Sequence, residues 1–341
     1  MDKSNEYYYP HGPDVYERKT SDNGFSDGWG MHFKPVSNAW IDMHMHSALS
    51  VDDDISHFMT SYRRAKQDTK HLVVCTPPII SESSSSYASI RTPSISSKEV
   101  VKKYLSSKGE DFSFLLWLSH DNPDPEIIDI AYELGISGIK LHNAPMMTEN
   151  VHYEIWNSPE WTEVFKRIEK YKLPVLWHVT QRLTSSPYTY GGENSYWKDG
   201  WKRGVNFTNQ DLLDNFTEIV DKYKEINFIA AHQLHIGWPR VAELLDKHSN
   251  LYIDTTIGCQ LRTEDDFYDH DRNFIRDYFI KYPDRFLFGT DTFIWPDISP
   301  EEIAEIQWNN NNHTRFINKL FLPDDVLQKV TCQNAEKLFN L

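Results

Sequence analysis

The chain has 341 residues, a formal net charge of −15 and 39% hydrophobic residues, which is normal for one α/β barrel and excludes a disordered chain. The acidic charge argues against nucleic acid and anionic membranes as partners, and no apolar run is long enough to span a bilayer. The polar N-terminus shows no signal peptide. Three widely spaced cysteines (Cys75, Cys259 and Cys332) without a CxxC pair argue against disulfides and a thiolate zinc site, and favour a cytoplasmic location.

Two regions follow each other along the chain. Residues 1–37 are rich in Tyr, Gly, Asp and Ser without a clear period, so we expect an irregular N-terminal extension or cap. Within 38–341, short apolar runs alternate with segments of helical character. Eight runs predict buried strands: Ala39–Met43, His71–Cys75, Phe112–Leu118, Ile136–Leu141, Leu173–Trp177, Ile226–Ala231, Asn250–Asp254 and Arg285–Gly289.

Helix signals lie between these runs. Pro125–Leu134 spaces its apolar residues on one face and precedes a glycine, Trp161–Tyr171 follows a Ser-Pro pair, and Val241–Asp246 follows a proline. Eight strand–helix units predict a closed (β/α)₈ TIM barrel as the catalytic domain. The alternative, a doubly wound open sheet, lacks the expected glycine-rich loop. The long connections 77–98 and 182–209 follow strands and are candidate lids, substrate walls or flexible loops.

Residues that can bind a metal follow four of the runs. His44 and His46 form an HxH pair after the first run, and residues i and i+2 of a strand share one face. His178 follows the fifth run, His232 the sixth and Asp291 the eighth. Polar groups at buried strand ends need a bond or a metal to offset desolvation. Imidazoles and one carboxylate suit Zn²⁺, and also Mn²⁺, Fe²⁺ or Co²⁺.

Several segments resemble the amidohydrolase superfamily, in particular its branch of lactonases and aminocarboxymuconate-semialdehyde decarboxylase-like enzymes. Besides the His178 strand they are IDMHMH (41–46), GIKLH (138–142), FIAAH (228–232), NLYIDTT (250–256), FLFGTD (286–291) and NAEKLFNL (334–341). The resemblance spans roughly residue 38 to the C-terminus. It implies that His44, His46, His178 and Asp291 bind one divalent metal, and that His232 contacts substrate or water.

Two assignments stay open at this point. The family usually has a glycine soon after the active-site histidine, whereas here His235 follows and competes with His232 for the role. We prefer His232 because it ends the apolar run. Lys140 lies near the carbamylated lysine of binuclear relatives, but mononuclear relatives share the GIKLH segment. We expect Asp42 and Asp254 to hold loops or neighbouring histidines in place.

The resemblance implies a metal-dependent hydrolase acting on an amide, ester or lactone of a small, carboxylated or aromatic molecule. The metal would lower the pKa of water, Asp291 would accept its proton, and His232 would polarise the carbonyl or hold the water. A decarboxylase is the alternative, and a non-catalytic or metal-free barrel is a third hypothesis. A homodimer is frequent in this branch. Predicted substrate contacts are Arg182, His235, Trp177 and Trp295, with a salt bridge for Arg182 and core packing for Trp177 as competing interpretations.

Overall fold

A computed structural model describes most of the predicted barrel. The described residues are 20–21, 24–26, 32–33, 40–47, 60, 69–79, 98–143, 146, 151–180, 207–256, 269–294 and 298–341. Most of the two long connections, and therefore Arg182, lie outside these residues, as does Trp295.

The N-terminal region contains a small antiparallel sheet of β1 (Thr20–Ser21), β2 (Gly24–Ser26) and β3 (His32–Phe33). The sequence predicts no strands there, because segments of two or three residues are too short to show an alternating pattern. The remainder of 1–37 lies outside the described residues, and the boundary at residue 38 stays a prediction.

Within the described residues the main sheet has nine strands, and every pair of neighbours is parallel. Each predicted run contains a strand, and the ninth strand lies directly after the eighth run, where the sequence predicts none. The strands are β4 (Trp40–Ser47), β5 (Thr69–Cys75), β6 (Phe112–Trp117), β7 (Gly138–His142), β8 (Val175–His178), β9 (Phe228–Ala230), β10 (Leu251–Asp254), β11 (Phe286–Leu287) and β12 (Thr292–Ile294).

The segment 286–294 closes this sheet. β11 pairs with β10, whereas β12 pairs with β4. Between them, the backbone N–H of Met43 donates to the carbonyl of Phe288 at 3.0 Å, and that of Asp291 donates to the carbonyl of His44 at 2.7 Å. One stretch of chain thus joins the two edges of the sheet, and the predicted (β/α)₈ barrel is confirmed.

Helices follow most strands and cover the outside of the barrel. They are α1 (Lys98–Leu105), α2 (Pro125–Glu133), α3 (Pro159–Lys170), α4 (Asn209–Lys222), α5 (Trp238–Lys247), α6 (Asp269–Lys281), α7 (Pro300–Lys319), α8 (Asp324–Gln328) and α9 (Asn334–Phe339), with a 3₁₀ turn at Tyr153–Asn157 and a π turn at Lys329–Gln333. The side chains of Ser158 and Thr208 cap α3 and α4, respectively, because each accepts a hydrogen bond from a backbone N–H in the first turn of its helix. None of the described helices is long and apolar enough to cross a membrane.

Side chains alternate between the two faces of the barrel wall. On β8, Trp177 faces outward and packs edge-on against Phe216 at 5.4 Å, whereas Leu176 belongs to the inner cluster. On β5, Val73 and Cys75 also point inward. Because strand residues alternate with period 2, this pattern decides which polar residues at the strand ends face the interior.

Candidate metal centre

The HxH pair lies within β4, not after it as the sequence suggests. A β-bulge in this strand affects the direction in which the two side chains point. Asp42 pairs with Leu72 and Met45 with Val74, so β4 contains one extra residue between these pairs. The side chains of His44 and His46 are buried, and their Nε2 atoms lie 3.1 Å apart. The strand therefore brings two imidazole nitrogens to one point.

Asp291 supplies the third donor atom. Its Oδ1 lies 3.2 Å from His44 Nε2 and 3.0 Å from His46 Nε2. The residue has a left-handed backbone with φ 54°, and its N–H is held by the carbonyl of His44. A tetrahedral ion with bonds of 2.0–2.1 Å needs donors about 3.3–3.4 Å apart. The triangle of these three atoms fits a divalent ion with only small shifts.

A carboxylate stands behind this triangle. Asp254 is fully buried, and its Oδ2 lies 2.6 Å from Nδ1 of His44. Metal-binding histidines almost always donate their second ring N–H to such a group. Burial raises the pKa of Asp254 to about 8, while hydrogen bonds from the backbone of His232 and from Thr256 oppose that rise. A cation at the triangle would favour the ionised carboxylate further.

A glycine makes room for this arrangement. A Cβ on Gly289 would lie 2.9 Å from the Cβ of His44 and 3.0 Å from Cγ2 of Thr256. Real Cβ atoms do not approach so closely, so any side chain here would push the eighth barrel segment away from β4. That displacement would pull Asp291 out of reach of the two imidazoles.

His232 and His235 lie on a left-handed turn after β9. Four consecutive residues, His232 to His235, have φ between 51° and 58°, a conformation that costs non-glycine residues roughly 1–2 kcal/mol each. The turn stacks the two rings with centroids 5.0 Å apart and planes 8° apart. Nε2 of His232 lies 3.1 Å from Nδ1 of His178 and 3.8 Å from Oδ2 of Asp291.

Neighbouring loops hold this turn in place. The Asp254 carboxylate accepts the backbone N–H of His232 at 2.7 Å. The buried amide of Gln233 donates to the carbonyls of Asp254 and Thr256, both at 2.8 Å. Thr180 donates its hydroxyl to the carbonyl of Leu234. These hydrogen bonds offset the backbone strain of the turn. Another backbone conformation would leave the buried polar groups without their partners, which costs free energy.

Comparisons with known proteins identify the family of this chain. A sequence model described as amidohydrolase matches residues 41–341. The chain belongs to the amidohydrolase family. No curated protein matches it.

Solved structures with the same fold as this amidohydrolase are distant in sequence. A 2,6-dihydroxybenzoate decarboxylase complexed with 2,6-dihydroxybenzoate has a TM-score of 0.54 at 14% identity, with 89% of this chain and 99% of that chain covered. A 5-carboxyvanillate decarboxylase from Sphingomonas paucimobilis has 0.51 at 12%, covering 89% and 100%. An uncharacterized TIM-barrel protein from Bordetella bronchiseptica has 0.52 at 13%, covering 89% and 98%.

The inner surface of the amidohydrolase barrel keeps its histidines neutral. Burial, the largest cause, lowers the pKa well below its usual value for five of them, and the Lys140 ammonium adds to this lowering; they are His44, His46, His142, His178 and His232. Neutral imidazole is the form that binds metal. The inner surface therefore carries bases in their ligating state at neutral pH.

Lys140 lies at the centre of this group. Its side chain is fully buried, and its Nζ lies 3.0 Å from Nε2 of His44. Burial lowers the pKa of the amine, although nearby Cys75, Asp291 and Asp254 act in the opposite direction. That the site binds one metal ion stays a prediction. In the alternative, two ions bind and Lys140 is an additional ligand.

Of the four predicted substrate contacts, the structure describes His235 and Trp177, and only His235 lies near the site. His235 lies in the histidine cluster, 6.0 Å between ring centroids from His178. Trp177 lies outside it, in the layer between strands and helices, where its indole N–H donates to Asn143 at 3.0 Å. The packing interpretation of Trp177 matches that position. Arg182 and Trp295 fall outside the described residues.

Three inward-facing side chains lie near the site but are not among the predicted site residues. His142 stacks on His178 with centroids 4.1 Å apart, and Trp117 stacks on His142 at 5.6 Å. Cys75 pairs in register with His46, and burial raises the pKa of its thiol to about 12. The signal that finds them is the inward phase of β5, β6 and β7, which alternation with period 2 gives once one inner residue is known.

Proposed function

We propose that this amidohydrolase is a metal-dependent hydrolase that opens an amide, ester or lactone of a small molecule. The observation that carries the proposal is the orientation of Asp291. One of its oxygens completes the triangle with His44 and His46, and the other faces His232 at 3.8 Å. With 14% of its side chain exposed, Asp291 is also more accessible than either histidine of the triangle.

We assign the ion to His44, His46 and Asp291, with His178 beside them as the fourth proposed ligand. A Zn²⁺, Mn²⁺, Fe²⁺ or Co²⁺ ion bound there would supply Lewis acidity and a lowered pKa for water. The second oxygen of Asp291 lies where it can accept the proton of an attacking water and return it to the leaving group.

His232 takes a defined tautomer when Asp254 is ionised. The Thr256 hydroxyl then donates to Asp254 at 2.9 Å, so it accepts from Nδ1 of His232 at 2.7 Å. Nε2 of His232 is then a hydrogen-bond acceptor, which lies 3.1 Å from Nδ1 of His178 and 3.8 Å from Oδ2 of Asp291. Of the two predicted roles for His232, this tautomer favours holding the water over polarising the carbonyl.

The first test combines metal content with a substrate panel. Untagged protein should contain about one transition metal per chain, and esters or lactones of small aromatic or carboxylic acids should be hydrolysed only in its presence. Protein that stays metal-free after reconstitution, or that hydrolyses equally well after chelation, would overturn the proposal. About two metals per chain would identify Lys140 as an additional ligand.

Asp291→Asn tests the proton acceptor separately from metal binding. The amide oxygen can still face His44 and His46, so the variant should keep part of its metal. It should lose about 10²- to 10⁴-fold in kcat, the usual contribution of a general base. Near-full activity would show that another group accepts the proton.

Decarboxylation of an aromatic acid is the second candidate. The flat stack of Trp117, His142 and His178 next to the triangle would suit an aromatic ring. In this reaction the bond from ring carbon to carboxyl carbon breaks, CO₂ leaves, and a proton is added to the ring carbon. Release of CO₂ from hydroxybenzoates without hydrolysis of any ester would favour this candidate over the first.

A further inference from the structure

The inner face of β5 brings a thiol to the metal triangle. Cys75 pairs in register with His46 on the neighbouring strand, and both side chains point into the barrel. The ligand atoms of His44, His46 and Cys75 all lie within 4.8 Å of one another, and all three residues are buried. The wide cysteine spacing in the sequence gives no sign of this proximity.

The separations suit a mixed nitrogen and sulfur site. Bonds of 2.0–2.1 Å to nitrogen and about 2.3 Å to sulfur place these atoms about 3.6 Å apart around a tetrahedral ion. The sulfur lies within 4.8 Å of both imidazole nitrogens, so an adjustment of about 1 Å completes the coordination. Rotation about the single side-chain torsion of cysteine provides a movement of that size.

Among the described residues, the charged groups that act on the pKa of this thiol are Lys140, Asp291, Asp254 and Asp42, all of which belong to or surround the triangle. Cys75 is not part of a disulfide, and its side chain is fully buried. Core packing would be served equally by alanine or valine, as on the neighbouring inner positions of the barrel.

We propose that Cys75 is the fourth ligand of the metal, bound as a thiolate from inside the barrel together with His44, His46 and Asp291, in the position that the proposed function gives to His178. The attacking water would then bind as a fifth ligand. The S–H bond breaks as the sulfur–metal bond forms, and the proton leaves to solvent. Two anionic ligands then balance the charge of a divalent ion. A soft sulfur donor selects Zn²⁺, Cd²⁺ or Co²⁺ over Mn²⁺ and Mg²⁺, which prefer oxygen. The inference rests on the proposed metal site, but not on the reaction.

The test replaces the ion with Co²⁺, whose spectrum reports sulfur coordination without any substrate. Metal-free protein titrated with Co²⁺ should develop an intense near-ultraviolet thiolate-to-cobalt charge-transfer band that saturates at about one equivalent. Cys75→Ser and Cys75→Ala should abolish the band. They should also weaken Zn²⁺ binding by more than about tenfold, because loss of an outer-shell partner alone already weakens metal binding by about that factor. Mn²⁺ binding should change less.

Matched controls are the other two cysteines. Cys332→Ser changes a free buried thiol elsewhere in the inner cluster, and Cys259→Ser changes the thiol outside the described residues. Both should keep the band. Circular dichroism and thermal unfolding of the Cys75 variants show whether they fold, so loss of the ligand can be distinguished from loss of the fold. The charge-transfer band of the wild-type protein tests the inference without any variant.

The outcomes distinguish this inference from the proposed function. Full Co²⁺ loading without a charge-transfer band would overturn the role of Cys75 and leave the metal-dependent hydrolase intact. A band that disappears in Cys259→Ser instead would also overturn it. Failure to bind any transition metal would overturn both proposals together.

Discussion

Two pairs of histidines meet at one end of the barrel, and the chain delivers them by different means. His44 and His46 lie on a buried strand, in an extended conformation that any residue adopts. His232 and His235 lie on a turn in which each residue has a positive φ. The first pair is placed mainly by the geometry of β4, with Asp254 bonded to Nδ1 of His44. The second pair depends on bonds from neighbouring loops, above all those of Gln233.

This difference suggests a division of labour. A rigid strand suits groups that must hold an ion at fixed distances. A strained turn, held by hydrogen bonds, suits groups that contact water or substrate, because strain concentrates at such sites. The two supports meet in Asp254, which bonds both Nδ1 of His44 and the backbone N–H of His232.

The largest expected effect separates the two pairs. His44→Ala or His46→Ala removes a donor from the triangle, so bound metal should fall from about one per chain to less than about a tenth, with loss of activity. His232→Ala and His235→Ala should retain most of the metal and lose turnover instead. Elemental mass spectrometry on all four variants makes the comparison, and circular dichroism verifies their folding. A metal-replete His44→Ala would refute the division of labour.

Asp254→Asn should disturb both supports at once. Loss of the carboxylate behind His44 should weaken metal binding about 10- to 100-fold, as other outer-shell changes do. The same change weakens the bond to the turn and should lower kcat in the metal-saturated enzyme.

Asp221→Asn is the matched control for that change. Asp221 faces Nδ1 of His248 at 3.1 Å on the outside of the barrel, so its replacement should leave metal affinity unchanged. Equal metal affinities for Asp254→Asn and wild type would contradict the supporting role of Asp254.

Gln233→Ala acts on the turn alone. It leaves two buried carbonyls without their donor, so the free energy of unfolding should fall by about 1–3 kcal/mol. Metal content should be unchanged, while kcat should fall because His232 and His235 lose their fixed positions. Urea denaturation measures the first effect. Gln333→Ala, which removes an exposed bond to Gln328, should change stability by less than about 0.5 kcal/mol.

The smallest effect concerns the pH dependence of stability in the metal-free protein. Burial lowers the folded-state pKa of His232 and of the other inner histidines below the usual value near 6.5. Below about pH 6.5 the unfolded state therefore binds more protons, and stability falls as pH falls. Asp254, whose pKa is raised in the folded state, acts in the opposite direction but accounts for a single proton against those of several histidines. Thermal unfolding between about pH 6.5 and 5.5 should therefore show the decline, and His232→Asn should make it shallower. A stability that rises on acidification would contradict neutral burial.

The strands were predictable because their chemistry is local. Each buried strand is a short run of apolar residues, and a polar residue after such a run marks the end where barrel enzymes place their sites. His44, Asp291 and His232 could therefore be named as site residues from the sequence. The contacts of Asp42 with the backbone of Thr290 and of His44 agree with the expectation that this carboxylate holds its neighbours.

The turn and the thiol were not predictable, for a physical reason. Nothing in His-Gln-Leu-His favours a left-handed backbone, since its stability comes from partners on other loops. The competition between His232 and His235 therefore stayed open in the sequence, whereas the fold brings both rings together. Cys75 is near His46 only because of strand register, which a single apolar run does not reveal.

The segment 286–294, which joins the two edges of the sheet, also bears on how the proposed metal ion would be bound during folding. His44 and Asp291 come from opposite ends of the domain, and a hydrogen bond joins their backbones. Their donor atoms meet only after the last strand has docked on the first, a contact of very high sequence separation that forms late and slowly. An ion that binds only the native state would then stabilise molecules in which the barrel has closed. If the proposed ion binds there, the availability of metal during synthesis would affect how much folded protein accumulates.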